Sequence, residues 1–313
     1  MSKQVHNPHD KFFRETFSDP DRASAFLEEF LPSGLVKHLD IPSVKVLQES
    51  YMDSALKEYF SDLILQINLK EAEGEKVEVA FLFEHKSTPD KHVLIQVGFY
   101  MFAHWLKLVR QKKKLKLIIP LIYYQGKKKW KVPGLSKLFK DYPEELISFV
   151  PRLKHLLISL NEIPDEQIAA LRNSLLAAAL GAQKLAFNPK TLVEDFIRIL
   201  RLFPIEPTDK NFLQGLVVYS IETTNLSEQN IAEAIKNMPQ TIKKSVMTAY
   251  ETLMKKGIEK GIKKGIEKGR IETQVQMILA LYDDGINIQQ IAMYAKITEK
   301  EVLKILKEND RLQ

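Results

Sequence analysis

The chain has no cysteine among its 313 residues. That alone excludes disulfides and thiolate-held zinc. No apolar run approaches the roughly 20 residues a membrane-spanning helix needs, so no membrane partner is expected. The opening residues, MSKQVHNPHD, are polar and lack the apolar centre of a secretion signal. A cytoplasmic protein is the expectation. Only 12 glycines occur, and Gly257, Gly261, Gly265 and Gly269 crowd one short stretch. The rest is ordinary for a soluble globular chain, 45% hydrophobic and 27% charged. The net charge is +6 and the pI about 9.1, a balance compatible with a nucleic-acid partner without requiring one. The length suits one large domain or two small ones.

The most informative stretch is Lys76 to Asp90, KVEVAFLFEHKSTPD. Val77 and Val79 to Phe83 form a nearly continuous apolar run, the pattern of a strand covered on both faces. Glu84, His85 and Lys86 follow with no turn residue between. Alternation along a strand sends Glu84 and Lys86 to one face and His85 to the other. Charges at the end of a buried strand are costly unless they pair or bind something. A frayed strand end is the commonest meaning of an isolated Glu-x-Lys. A second strand-like run, EYFSDLILQIN (Glu58 to Asn68), weighs against it here. It sets Asp62 at the mouth of another apolar segment, where adjacent strands can bring Asp62 and Glu84 to one cation. Two hard carboxylates and water suit Mg²⁺, and a lysine beside them can orient an attacking water.

The arrangement resembles the active site of the PD-(D/E)XK nuclease superfamily. More narrowly, residues 5 to 205 resemble the Rpn family of recombination-promoting nucleases, also called the YhgA-like putative transposases. Four blocks carry the resemblance in order: HNPHDKFFRETFSDPDRASAFLEEFLP, ESYMDSALKEYFSDLIL, FEHKSTPDKHVLIQVGFYM, and IIPLIYYQG ahead of a lysine-rich run. It implies Asp62 and Glu84 as ligands of Mg²⁺ or another divalent cation, Lys86 as the catalytic lysine, and DNA as the substrate. Ser61 stands where the family commonly has proline. Gln96-x-x-x-Tyr100 resembles a motif that in some superfamily members holds DNA or braces the active site, so Gln96 joins the catalytic candidates. An acid on the first helix joins the metal in some members, which draws attention to Asp10 and Glu15; a solvated helix face is their other reading.

Along the chain, Phe12, Phe13 and Phe17 share a helical stripe that Pro20 breaks, and Asp21 is placed to cap a second helix. Ser43 to Tyr51 reads as the first strand. Pro89 and Asp90 open a helix to about Arg110, with His92, Gln96, Tyr100 and His104 along one flank. Leu115 to Tyr124 is another buried strand, ended by Gln125-Gly126. The order α, β, β, β, α, β is that of the superfamily core, a mixed central sheet flanked by helices.

Lys127, Lys128 and Lys129 with Trp130 form a basic patch around an aromatic, able to follow phosphates while the indole stacks on a base or packs locally. From Leu135 to Met254 the pattern is helical throughout, with Asp165 to Phe187 as one long helix. Lys255 to Arg270, KKGIEKGIKKGIEKGR, is either a helix whose glycine stripe seats a second helix, giving a homo-oligomer, or a flexible basic linker. The tail has three short helices at helix-turn-helix spacing, with Thr298 and Glu301 at capping-box spacing. The expected divisions are a nuclease core at 1–134, a helical region at 135–254, the repeat at 255–272 and a small module at 273–313. The competing functional reading is a retired nuclease fold that binds DNA or protein.

Overall fold

In a computed structural model, the described residues are 7–47, 63–70, 78–187, 192–204 and 209–312; the side chains at 78–84, 256 and 260 lie outside that description. Two units are distinguished, Met1–Ala249 and Tyr250–Gln313.

The first unit begins with α1 (Pro8–Phe17), α2 (Pro20–Phe30) and a single turn, α3 (Ser33–Val36). Asn7 caps α1, and Asp19 caps α2 by accepting from the Arg22 amide. The cap is therefore Asp19 and not Asp21. Proline has no N–H to lose and favours the first helical position, which makes the residue before Pro20 the cap. Five strands follow in sheet order β1 (Leu39–Leu47), β2 (Leu63–Leu69), β3 (Glu78–Lys86), β4 (Leu117–Tyr124) and β5 (Leu156–Ser159). The first three run antiparallel; β4 and β5 run parallel to β3. Strand β1 starts earlier than Ser43, and its register shifts between Asp40 and Lys45. Pro42 falls within that irregularity, on an edge strand where the missing N–H is tolerated.

The pleat divides two cores. Leu63, Leu65 and Ile67 of β2 and Leu121 and Tyr123 of β4 meet Phe13, Phe17, Phe26 and Leu27 of the first two helices. On the other face, Ile64, Ile118, Ile122 and Tyr124 meet α4 (Val93–Arg110) through Val93, Leu94, Val97 and Tyr100. The α, β, β, β, α, β order of the sequence reading is present.

The segment after β4 is not helical throughout. A short α5 (Glu144–Ile147) precedes β5, which pairs with β4 and extends the sheet. The expected boundary at residue 134 thus cuts through one sheet. The long helix expected over 165–187 is two, α6 (Asp165–Ala169) and α7 (Ser174–Phe187). Asn173 accepts from the Leu176 amide at 2.9 Å and starts the second. Then come α8 (Leu192–Arg201), α9 (Lys210–Thr223) and α10 (Glu228–Ile235). Helices α7 and α9 pack against α1.

Helix α11 (Gln240–Asp283) runs through the glycine repeat. The linker alternative is thereby replaced by a helix. A Cβ at any of its four glycines would meet nothing within 4 Å. In the second unit, Ile278 of α11 packs with Ile291, Ala292 and Ala295 of α12 (Ile288–Ala295) and Val302 and Leu306 of α13 (Glu299–Glu308). Thr298 and Glu301 form the expected capping box.

Candidate active site at the end of strand β3

Strand β3 ends at Lys86, paired with Tyr124 at the end of β4. The Gln125 amide donates to the Lys86 carbonyl at 3.0 Å, which ties both strand ends together. The side chains of Lys86 and His85 leave on opposite faces, as alternation requires. Lys86 turns toward α4. Its Nζ donates to Gln96 Oε1 at 2.9 Å and lies 3.3 Å from Asp90 Oδ2. Because an ammonium only donates, the amide oxygen of Gln96 must face it. The amide nitrogen then donates to the Tyr100 hydroxyl at 2.6 Å. Tyr100 is buried, so the chain Lys86–Gln96–Tyr100 is anchored in the core beneath α4. The lysine side chain keeps 17% of its surface open. It is both held and reachable, the condition for acting on a bound molecule.

Gly126 approaches this strand end closely. A Cβ there would collide with the Ser87 carbonyl oxygen and the Tyr124 hydroxyl. Asn161 donates to the carbonyls of Gln125 and Gly126, both at 2.7 Å, and holds the turn. Asp90 and Asn161 were not among the sequence candidates. Asp90 was visible only as a helix opener; Asn161 follows β5, which had no periodic signal.

The remaining candidates divide. Lys127, Lys128 and Lys129 are exposed just beyond β4, at the sheet end that carries Lys86. Trp130 is 9% exposed and packs edge-on to Tyr124 with centroids 5.0 Å apart. It belongs to the core, so of its two readings, base stacking and local packing, the structure has local packing. Tyr100 is likewise a buried brace and not a surface contact for DNA. Glu84 lies in β3, in register with Ile122, and its side chain is outside the description. Asp62 lies outside the described residues. Among the described residues no group of three His, Asp or Glu side chains is arranged to hold an ion.

On the opposite face, Asp10 does not join Lys86. Its Oδ1 is 2.8 Å from His85 Nδ1, and the imidazole stacks on Phe13 with centroids 4.9 Å apart. Burial pushes the Asp10 carboxyl up, but the hydrogen bond and charge of His85, with Asn7 and His9, more than reverse this and leave it below the usual carboxylate range. Glu15 is directed toward α9, where a Cβ at Gly215 would strike its carboxylate. Burial raises the Glu15 pKa, against the pull of Lys11 and Arg22.

His9 completes this polar seam, its Nδ1 2.9 Å from the Tyr219 hydroxyl. Burial lowers its pKa and His85 adds to the effect, against Asp10. A depressed imidazole leaves the unfolded chain binding more protons, so stability rises with pH. The contribution is complete above about pH 6.5, the ordinary imidazole value, and is lost as pH falls through the folded value. Thermal melts of the wild type are expected to fall between about pH 7.5 and about pH 5.5, the range in which histidine titrates, and His9→Gln should flatten that fall. An equal fall in both proteins would remove His9 as its source.

A five-stranded mixed sheet with a buttressed lysine at one strand end is a scaffold presenting one cationic group beside a basic loop. Comparison with known proteins supplies the next step. The chain belongs to the family described as "Putative transposase, YhgA-like", whose model matches residues 7–211. It is 24% identical over 253 residues to recombination-promoting nuclease RpnD of Escherichia coli O157:H7, covering 79% of this chain and 94% of that protein. It is also 24% identical over 257 residues to recombination-promoting nuclease RpnA of E. coli K12, covering 82% of this chain and 86% of that one. The same identity over 255 residues, 80% of this chain and 83% of the other, links it to inactive recombination-promoting nuclease-like protein RpnE of E. coli K12. No solved structure matches. No helix among the described residues is long and apolar enough to cross a membrane.

Proposed function

We propose that this protein is a metal-dependent DNA endonuclease of the PD-(D/E)XK type, acting in recombination or on mobile elements in the cytoplasm. The observation that carries the reading is Lys86: a partly open ammonium at the end of a central strand, fixed by Gln96 and Asp90. The order of elements and the names of RpnD and RpnA support it. Asp62 and Glu84 would hold Mg²⁺. Both are carboxylates and the chain offers no thiolate, so the donor set is the hard-oxygen kind that Mg²⁺ takes. When bound, the ion supplies Lewis-acid polarisation of a phosphodiester. Lys86 orients the attacking water and offsets charge gathering on the phosphate oxygens. Gln96 keeps the ammonium from collapsing onto Asp90 alone. Lys127 to Lys129 attract the backbone phosphates.

Plasmid nicking with Mg²⁺, Mn²⁺, Ca²⁺ or EDTA tests the reading, with Asp62→Ala alongside. Cleavage is expected only with a supporting metal, and Asp62→Ala should bind DNA without cutting it. Binding without cutting under every metal would instead favour a retired nuclease that acts as a binding module, for which RpnE, named inactive at the same identity, is the precedent. We also propose that the exposed isoleucines of the glycine repeat contribute a homo-oligomeric contact; Ile258, Ile262 and Ile266 are each more than half exposed.

A further inference from the structure

Helix α4 has two apolar faces, and the sheet covers only one. Ile95, Phe99, Phe102, Leu106 and Val109 point away from it and are 48–58% exposed. Their spacing is four, three, four, three. That is the a/d seam of a helix packing against another helix. The inner face of the same helix is already filled by Val93, Leu94, Val97, Tyr100 and Met101, so core packing does not account for the outer stripe.

We infer that this stripe is the contact between two copies of the chain, paired antiparallel about a two-fold axis at Phe102. The stripe is self-complementary about that residue. Ile95 and Val109 lie seven positions either side, and Phe99 and Leu106 lie three before and four after. A two-fold partner therefore sets Phe102 on Phe102, Phe99 near Leu106, and Ile95 near Val109, as an isologous interface requires. Charge selects the same direction. Helix α4 has no acidic residue; Lys107 and Arg110 lie in its last turn, and Lys112 to Lys114 follow. Parallel pairing would stack these cations on one another. Antiparallel pairing separates them and brings Lys107 and Arg110 toward the end where Asp90 stands.

Trp105 touches Phe102 edge-on at 5.7 Å and donates to the Lys116 carbonyl, which ties the helix to the start of β4. With roughly 100 Å² open on each side chain, the five residues of the stripe offer about 500 Å² per copy, the low end for a specific interface. A contiguous apolar patch of about 500 Å² is at the upper end of what monomers expose, and patches of that size are commonly interaction sites. The same helix holds Gln96 against Lys86, so its outer contact would also steady the candidate site.

The absence of cysteine makes a direct test available. Phe102→Cys places a single thiol on the proposed axis. Under mild oxidation the full chain is expected to become a disulfide-linked dimer, while Arg110→Cys, off the axis, stays uncrosslinked. Ile95→Cys should link to Val109→Cys in a mixture and not to itself. By sedimentation, Phe102→Glu should lower the mass of the wild-type particle while its circular dichroism stays unchanged, since the side chain is exposed. The proposal is overturned by a 36.1 kDa wild type, by an unchanged mass in Phe102→Glu, by Phe102→Cys linking no faster than Arg110→Cys, or by self-linking of Ile95→Cys. Thiols at Ile262 that link while Phe102→Cys remains single would assign association to the glycine repeat alone and equally overturn it.

Discussion

Lys86→Ala is expected to lower single-turnover DNA cleavage by about 10²- to 10⁴-fold, the range for removal of a positioned proton-transfer or charge-stabilising group. DNA affinity should change little, because Lys127 to Lys129 and the rest of the basic surface remain. Lys86→Arg should not restore the rate. The guanidinium is planar and larger and stays charged at any working pH, and the space set by Gln96 and Asp90 is shaped for a point ammonium. Gln96 acts through Lys86 and is a positioning residue. Gln96→Glu places a second carboxylate beside the ammonium, favours its charged form, and should move the limb of the pH–rate profile that reports Lys86 to higher pH. A merely structural glutamine would lower the rate without moving that limb. A Lys86→Ala protein that cuts like wild type, with intact circular dichroism, would remove the lysine from the chemistry.

The largest expected effect on stability is at Phe13. It is fully buried and touches Phe17, His85 and Tyr123 with ring centroids between 4.9 and 5.8 Å. Phe13→Ala removes a ring from the contact between α1 and the sheet and should cost about 3–5 kcal/mol, the range for a buried phenylalanine truncated to alanine. His85 gives the loss a second component. Its Nδ1 is held by Asp10, its Nε2 is buried with no hydrogen-bond partner among the described residues, and the Phe13 ring stacks on the imidazole. Phe13→Leu should recover more than half of the loss, because it refills much of the volume. Urea titration measures both. A loss below about 1 kcal/mol, the typical cost of an unremarkable substitution, would show that α1 is not integral to the sheet's cover.

The elements that were legible from sequence are those whose pattern is local and long. The apolar runs of β2 and β4 carry their own signal, because each strand is buried on two faces. The capping box of Thr298 and Glu301 lies three residues apart and needs nothing from the rest of the chain. The alternation that separates His85 from Lys86 follows from strand geometry alone. What failed was short or competed. Strand β5 has only four residues, LLIS, too few to show a period, and it exists because the open edge of β4 offers hydrogen bonds. The break between α6 and α7 turns on Asn173, a cap hidden in an alanine- and leucine-rich run that otherwise favours continuous helix.

For the candidate site, the charged end of the β3 run pointed to Lys86, the basic run to the lysines after β4, and resemblance to the nuclease superfamily to Gln96. They come from two adjacent blocks and one neighbouring strand. The tertiary structure decided what touches them. It set Asp10 on His85 across 75 residues of chain, sent Tyr100 and Trp130 into the core, and left the outer stripe of α4 about half exposed. Such pairings depend on which faces the folded sheet brings together. A one-dimensional pattern gives each element's own periodicity and carries no record of its neighbour in space.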